Sequence, residues 1–209
     1  MKIAVIAANG RLGKAFVQEA LASGHTVRAG IRGTDYSLTH DNLEIVRCDA
    51  TKQDEVEDLI CGQDVVVSCI GHVKGSPADV QTVATNAIVQ AMNAQDIKRF
   101  VDVTGTGARM HGDKVTLIDW LLNVVVKLVD PDRIKDGENH MHVLEQSNLE
   151  WTTIRVLKLQ NIQPKPYSLL PNGPTKVLVG RQEAAKAMLQ VITEHSYICQ
   201  APIVGSARK

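Results

Sequence analysis

The sequence lacks any excess of charge: 23 Lys and Arg are balanced by 23 Asp and Glu across 209 residues. Phosphate backbones and anionic membranes are bound largely through surplus Lys and Arg. Nucleic acid and membrane are therefore not expected as partners, although a local basic patch is compatible with a zero sum. Metal-ligand spacing is missing too. Cys48, Cys61, Cys69 and Cys199 are scattered without a Cys-x-x-Cys pair, and Cys48 and Cys69 fall in apolar runs that read as strands. Reduced core thiols and no metal site are the expectation. Long apolar runs are absent as well. The longest candidate, Val115 to Val129, is interrupted by Asp119, Asn123 and Lys127, short of the ~18 apolar residues a span needs. Met1-Lys2 before Ile3-Ala4-Val5-Ile6 has one basic residue and an apolar run too short for the signal-peptide pattern, so none is expected there. A reducing, cytoplasmic location follows as an expectation.

What is present is an apolar fraction of 44% arranged as β-branched runs alternating with helical patterns. That rhythm predicts an α/β fold of Rossmann type, a doubly wound parallel sheet covered on both faces. Strands are expected at 2–7, 26–31, 43–48, 64–70, 99–104 and 151–156. Helices are expected from about 10 to 23 and at 53–60, 78–93, 113–129 and 137–146, with Thr51 and Asp54 placed as a capping pair before the second. The proline-rich stretch 157–174 reads as a loop, followed by a strand at 175–179, a helix at 182–193 and a strand near 198–204. Residues 1–209 form one domain in this reading. Residues 1–156 would be the nucleotide-binding core, and 157–209 a small C-terminal lobe on the substrate side.

The most informative stretch is Val5-Ile6-Ala7-Ala8-Asn9-Gly10-Arg11-Leu12-Gly13, where a strand turns into a helix within a βαβ unit. Small residues are needed there because pyrophosphate must approach the N–H groups of the helix N-terminus. Gly10 allows that approach and Gly13 allows close helix packing, while Ala7 stands where a third glycine is usual. About 20 residues on, where NAD sites carry an acid for the ribose, the sequence has Arg32. A guanidinium suits a 2′-phosphate, with Arg11 able to close over the same group, so NADP is favoured as cofactor and NAD is the alternative.

The ordered set of weaker motifs resembles the atypical short-chain dehydrogenases, specifically the NmrA-like NAD(P)H-binding group with its flavin and biliverdin-IXβ reductase relatives. Gly24-His25-Thr26-Val27 through Ile31-Arg32 is similar to that group's G-H-x-V…V-R segment, and Cys48-Asp49-Ala50 to its G-D-x element. Ser68-Cys69-Ile70-Gly71, Asn86, Ile97 to Ala108, Leu149 to Arg155 and Gly180 to Ala185 follow in order. The resemblance implies that Asp49 and Ala50 meet adenine. It also implies that Cys69, Ile70 and Gly71 pass along the ribose and nicotinamide, and that Thr104 stands beside the nicotinamide. The departure is chemical. The group's wider relatives activate a carbonyl with Tyr-x-x-x-Lys. Tyr36, Tyr167 and Tyr197 are the only tyrosines, none has Lys four residues later, and none lies between Arg133 and Glu145.

Two other features bear on chemistry. Asp136, Glu138, His140 and His142 form an acid/His cluster, read either as a solvated helix start or as a site in which His140 donates a proton. The apolar segment 113–129 reads as a buried helix, a pocket roof or an oligomer contact. An NADPH-dependent oxidoreductase passing hydride to a flavin, quinone or similar planar acceptor is the expected function, with Thr104 and His140 as catalytic candidates. The alternatives are a non-catalytic NADP-binding regulator acting through a protein partner and a scaffold whose pocket Ala7 has spoiled. A homodimer is compatible with the sequence.

Overall fold

The β-branched runs form the centre of the fold. In the computed structural model, which describes residues 1–33 and 36–207, ten strands and six helices follow one another along the chain. The N-terminal half holds β1 (Lys2–Ile6), α1 (Arg11–Ala22), β2 (Thr26–Ile31), β3 (Leu43–Arg47), α2 (Gln53–Ile60), β4 (Val65–Ser68), α3 (Val80–Ala94) and β5 (Arg99–Gly105). The remainder holds α4 (Leu117–Val129), α5 (Pro131–Glu145), β6 (Glu150–Val156), β7 (Leu159–Gln160), β8 (Tyr167–Leu170), β9 (Val179–Gly180), α6 (Arg181–Thr193) and β10 (Ile203–Ser206).

Eight strands make one sheet in the order β3-β2-β1-β4-β5-β6-β10-β8, parallel throughout except for β8 against β10. The chain runs outward from β1 in both directions, so the strand order reverses between β1 and β4. Side chains of the central strands alternate between two apolar layers, as a sheet buried on both faces requires. Ile3 and Val5 pack with α1 and α6, while Ala4 and Ile6 pack with α2, α3 and α5. In α1 the spacing of Leu12, Phe16 and Ala20, with Val17 and Leu21, turns one face to the first layer. Each such large side chain contributes about 1.5–3 kcal/mol on burial.

The C-terminal third differs from expectation in detail. The strand expected at 175–179 is reduced to β9, and the sheet takes Tyr167–Leu170 instead, from within the proline-rich stretch. Prolines only bracket β8, at Pro166 and Pro171, so it can pair on the outer edge of the sheet. The last strand starts at Ile203 rather than 198 because Tyr197 and Cys199 take left-handed backbone angles, φ 55 and 53. Thr51 does not cap α2. Lys52 holds the N-cap position, and the Thr51 hydroxyl donates to Asp49 instead.

Two helices also begin elsewhere. Segment 113–116 is not helical: Asp113 is drawn away by the fully buried Arg155, whose Nη2 donates to Oδ1 at 2.7 Å, and Thr116 caps α4 by accepting from the Asp119 N–H. Asp130-Pro131-Asp132, expected as a separator, opens α5, with Pro131 in the first turn where its missing N–H costs nothing. No helix among the described residues is long and apolar enough to cross a membrane.

Candidate functional site

The reversal of strand order next to β1 leaves a crevice beyond the carboxyl ends of the strands, and the β1–α1 turn lies at its floor. Ala7 takes φ 57, the left-handed region, and its carbonyl accepts the Gly10 N–H at 3.0 Å. Gly10 is the N-cap of α1. No side chain caps that helix and no acid lies in its first turn, so its positive dipole end and first N–H groups stay open to an anion. A Cβ on Gly13 would stand 2.4 Å from the Ala7 carbonyl oxygen and 2.8 Å from Ala8 Cα, which fixes glycine there. These residues fit a pyrophosphate cradle. Arg11 is exposed at the same helix end; partial burial and then the Arg11 charge lower the pKa of Arg181, whose guanidinium donates to Asn161 Oδ1 at 2.7 Å.

At the far edge, β2 and β3 end in register at Ile31 and Arg47. Arg32, Gly33, Ile45 and Arg47 with Ile31 line a pocket of ≈340 Å³. Arg47 was not singled out from the sequence, since nothing in it marks that position until strand pairing places it beside Arg32. The next residues, Cys48-Asp49-Ala50, bend away under tight control: Asp49 Oδ1 accepts from Thr51 N at 3.1 Å and Thr51 Oγ1 at 2.8 Å. Burial works to raise the Asp49 pKa. The bonds from Thr51 and the charge of Arg32 outweigh it, so the carboxyl is held below its usual range and stays ionised.

Nearer the centre, β4 and β5 deliver Cys69-Ile70-Gly71 and Thr104. The Cys69 N–H donates to the Ile6 carbonyl at 3.1 Å, which keeps the segment beside the cradle. Burial, with the nearby Asp102 charge, pushes the Cys69 thiol up to about 12, so it is neutral and a poor nucleophile. Thr104 is 6% exposed and faces α5, where a Cβ on Gly137 would lie 3.2 Å from its Oγ1. Ala7, Asn9, Gly10, Arg11, Leu12, Gly13, Arg32, Asp49, Ala50, Cys69, Ile70, Gly71 and Thr104 thus lie at the carboxyl ends of β1 to β5 or in the segments that follow. The topology brings them to one edge.

The acid/His cluster separates. Glu138 and His142 are exposed, while Asp136 and His140, on the inner face of α5, are 2% and 1% exposed. For Asp136 and His140 a solvated helix start is therefore incorrect, because α5 begins at Pro131 and both lie on the inward side of its middle. Asp136 caps α3 from outside that helix: Oδ2 accepts from Gln81 N at 2.8 Å, and Oδ1 from Thr82 N at 2.9 Å and Thr82 Oγ1 at 2.5 Å. His72 Nε2 lies 2.9 Å from Oδ2 as well. His140 Nε2 is 3.1 Å from Asp102 Oδ2 across β5, off the line of a good hydrogen bond. Burial works against the protonated ring, but Asp102 and then Asp136 together outweigh it, so the His140 pKa is raised. No group of acids, His and Cys among the described residues is arranged to hold a metal ion.

The helix expected to be buried is not. In α4, Leu117, Ile118, Trp120, Leu121, Val125, Leu128 and Val129 are all at least 47% exposed, and its one buried residue is Asp119. Asp119 accepts from Thr106 Oγ1 at 2.7 Å, Asn123 Nδ2 at 2.8 Å and Arg109 Nη1 at 2.5 Å, which pins α4 over the end of β5 by its polar side. An apolar pattern without a second layer above it cannot bury itself, and among the helices α4 packs chiefly on α5.

Comparison with known proteins agrees with this geometry. An uncharacterised chloroplastic protein of Arabidopsis thaliana is 27% identical over 212 residues, covering 90% of this chain and 72% of that protein. The chloroplastic protein TIC 62 of Arabidopsis thaliana is 26% identical over 146 residues, 58% of this chain, and the match takes in only 23% of TIC 62. A short-chain dehydrogenase/reductase of Veillonella parvula, solved in complex with NADP, superposes with TM-score 0.82 at 18% identity, over 98% of this chain and 94% of that one. A candidate NADH-flavin reductase of Streptococcus pneumoniae gives TM-score 0.79 at 22% identity over 99% and 100% of the two chains. The model of a family described as NAD(P)H-binding matches residues 7–195, from the first residue of the cradle to beyond α6, and the chain belongs to that family.

Proposed function

We propose that the protein is an NADPH-dependent reductase that passes hydride to a small planar acceptor such as a flavin or quinone. The observation that carries the cofactor choice is the paired guanidinium groups of Arg32 and Arg47 at the ends of β2 and β3, lining one pocket where an NAD site would place an acid. They suit a 2′-phosphate, to which each charge-assisted contact contributes about 1.5–3 kcal/mol. Gly10 to Gly13 would hold the pyrophosphate, with Arg11 and Arg181 beside it, and Asp49 would meet the adenine. Cys69, Ile70 and Gly71 would line the ribose and nicotinamide.

When bound, the cofactor supplies the hydride; the chain supplies orientation. The Thr104 hydroxyl has no protein hydrogen bond among the described residues, which leaves it to orient the nicotinamide or the acceptor. His140 is enclosed behind β5, so in this reading it acts through Asp102 as a positioning residue and does not touch the acceptor. Reduction of a flavin or quinone requires no tyrosine, which is the reason for choosing that acceptor class. Both the candidate NADH-flavin reductase and the NADP-bound dehydrogenase share the fold and support the reading. The four free thiols favour a reducing compartment such as the cytoplasm, and the curated relatives are chloroplastic.

The test is oxidation of NADPH, followed at its absorbance maximum, with a panel of flavins, quinones and enones. Steady turnover with a flavin or quinone is expected. Tight NADPH binding with no oxidation by any acceptor would replace this reading with a non-catalytic NADP-binding regulator.

A further inference from the structure

We propose that the outward face of α4 is the contact of a two-fold homodimer in which α4 of one copy lies against α4 of another. Leu117, Leu121, Val124 and Leu128 follow a 4-3-4 spacing, the seam of a helix that packs on a second helix. Ile118, Trp120, Val125 and Val129 widen it, and Val115 extends it beyond the N-cap. Leu117, Leu128 and Val129 are 77%, 80% and 80% exposed. At these exposures the residues of this face together leave on the order of 900 Å² in water, comparable with the ~800 Å² that each partner of a standard interface buries.

The anchoring of α4 supports a face meant to be covered. Asp119, Thr106, Arg109 and Asn123 tie the polar side of the helix to the body of the protein, where it also packs on α5, and this holds the residues of the opposite side outward. The only other charge of the helix is Lys127, so the seam itself carries none. An uncharged, apolar, straight ridge about 20 Å long has as its natural complement another ridge of the same kind, and a two-fold axis supplies one from an identical chain. The ridge is next to the end of β5, so pairing would also wall the crevice on the acceptor side.

Sedimentation equilibrium of the full chain, with and without NADPH, reads the proposal directly. The mass of two chains at micromolar concentration is expected, reduced to one chain by Leu121→Asp with Leu128→Asp. Val83→Asp, at an exposed valine of α3, should leave the dimer intact. Tryptophan emission of the unaltered protein gives a second reading that needs no variant. Trp151 is 3% exposed and Trp120 54%, so dilution through the dissociation range should shift emission to the red as Trp120 enters water. A monomer at all concentrations with no such shift would overturn the proposal. So would a monomer that sediments with phospholipid vesicles through α4, which would assign the face to a membrane surface.

Discussion

Ala7 shows how much a single residue of the turn carries. An L side chain in the left-handed region costs about 1–2 kcal/mol, and Ala7 stands there at φ 57 because the β1–α1 turn takes that path of the backbone. Ala7→Gly relieves the strain but loosens the unfolded chain, so a net gain of about 0.5–1 kcal/mol is expected in urea unfolding, with NADPH affinity kept. A loss of both would show that the methyl group is itself required. Gly13→Ala is the opposite case: the atoms its Cβ would strike are backbone and cannot step aside. It should destabilise by about 1–3 kcal/mol and abolish measurable NADPH binding by calorimetry. As candidates, Gly10 and Gly13 could be picked from the sequence because a strand-to-helix phosphate turn dictates residue type at fixed spacing, and Arg32 because it stands at the end of the next strand. Arg47 could not, since its meaning depends on the register of β2 against β3.

At the scale of elements, burial decided what residue type could not. Asp136 and His140 are four apart on α5 and read equally well as a wet surface or a site; which is true depends on the layers packed above. Asp136 serves α3 as a cap, and Asp136→Ala should cost about 2–3 kcal/mol by leaving the Gln81 and Thr82 N–H groups without an acceptor. A cost below 0.5 kcal/mol would contradict that role. His140 gives a pH dependence of known sign. Its pKa is raised in the folded protein, with burial opposing and Asp102, then the α5 backbone and Asp136, favouring the charged ring. Folding thus takes up a proton. The stabilisation is complete below about pH 6.5 and lost as pH rises through the raised value. The difference in unfolding free energy between the native chain and His140→Asn should accordingly shrink as pH rises from 6.5. A difference that is flat or grows would contradict the pairing with Asp102. The same lesson applies to α4, whose apolar sequence reads equally as a buried helix, a pocket roof or an oligomer contact until the layers around it are known.

Across the whole molecule, the alternation of β-branched runs with helices was enough to read the doubly wound sheet, and its strand order then assembled the site. Residues from five separate strands meet at one edge because parallel pairing aligns all their carboxyl ends. The C-terminal third was less legible, since β8 lies between prolines and is a strand only by virtue of β10 beside it. A chain with no net charge nevertheless gathers Arg11, Arg181, Arg32 and Arg47 along that edge, a local positive field of the kind that draws an anionic ligand. In the proposed function this edge selects NADPH through Arg32 and Arg47. The most direct test is parallel calorimetric titration of NADPH and NADH into the native chain, Arg32→Ala and Arg47→Ala. The native chain should prefer NADPH, and each substitution should weaken NADPH by roughly tenfold or more while leaving NADH little changed. Equal affinity for the two cofactors, or an equal loss of both, would rule out a 2′-phosphate site at these arginines.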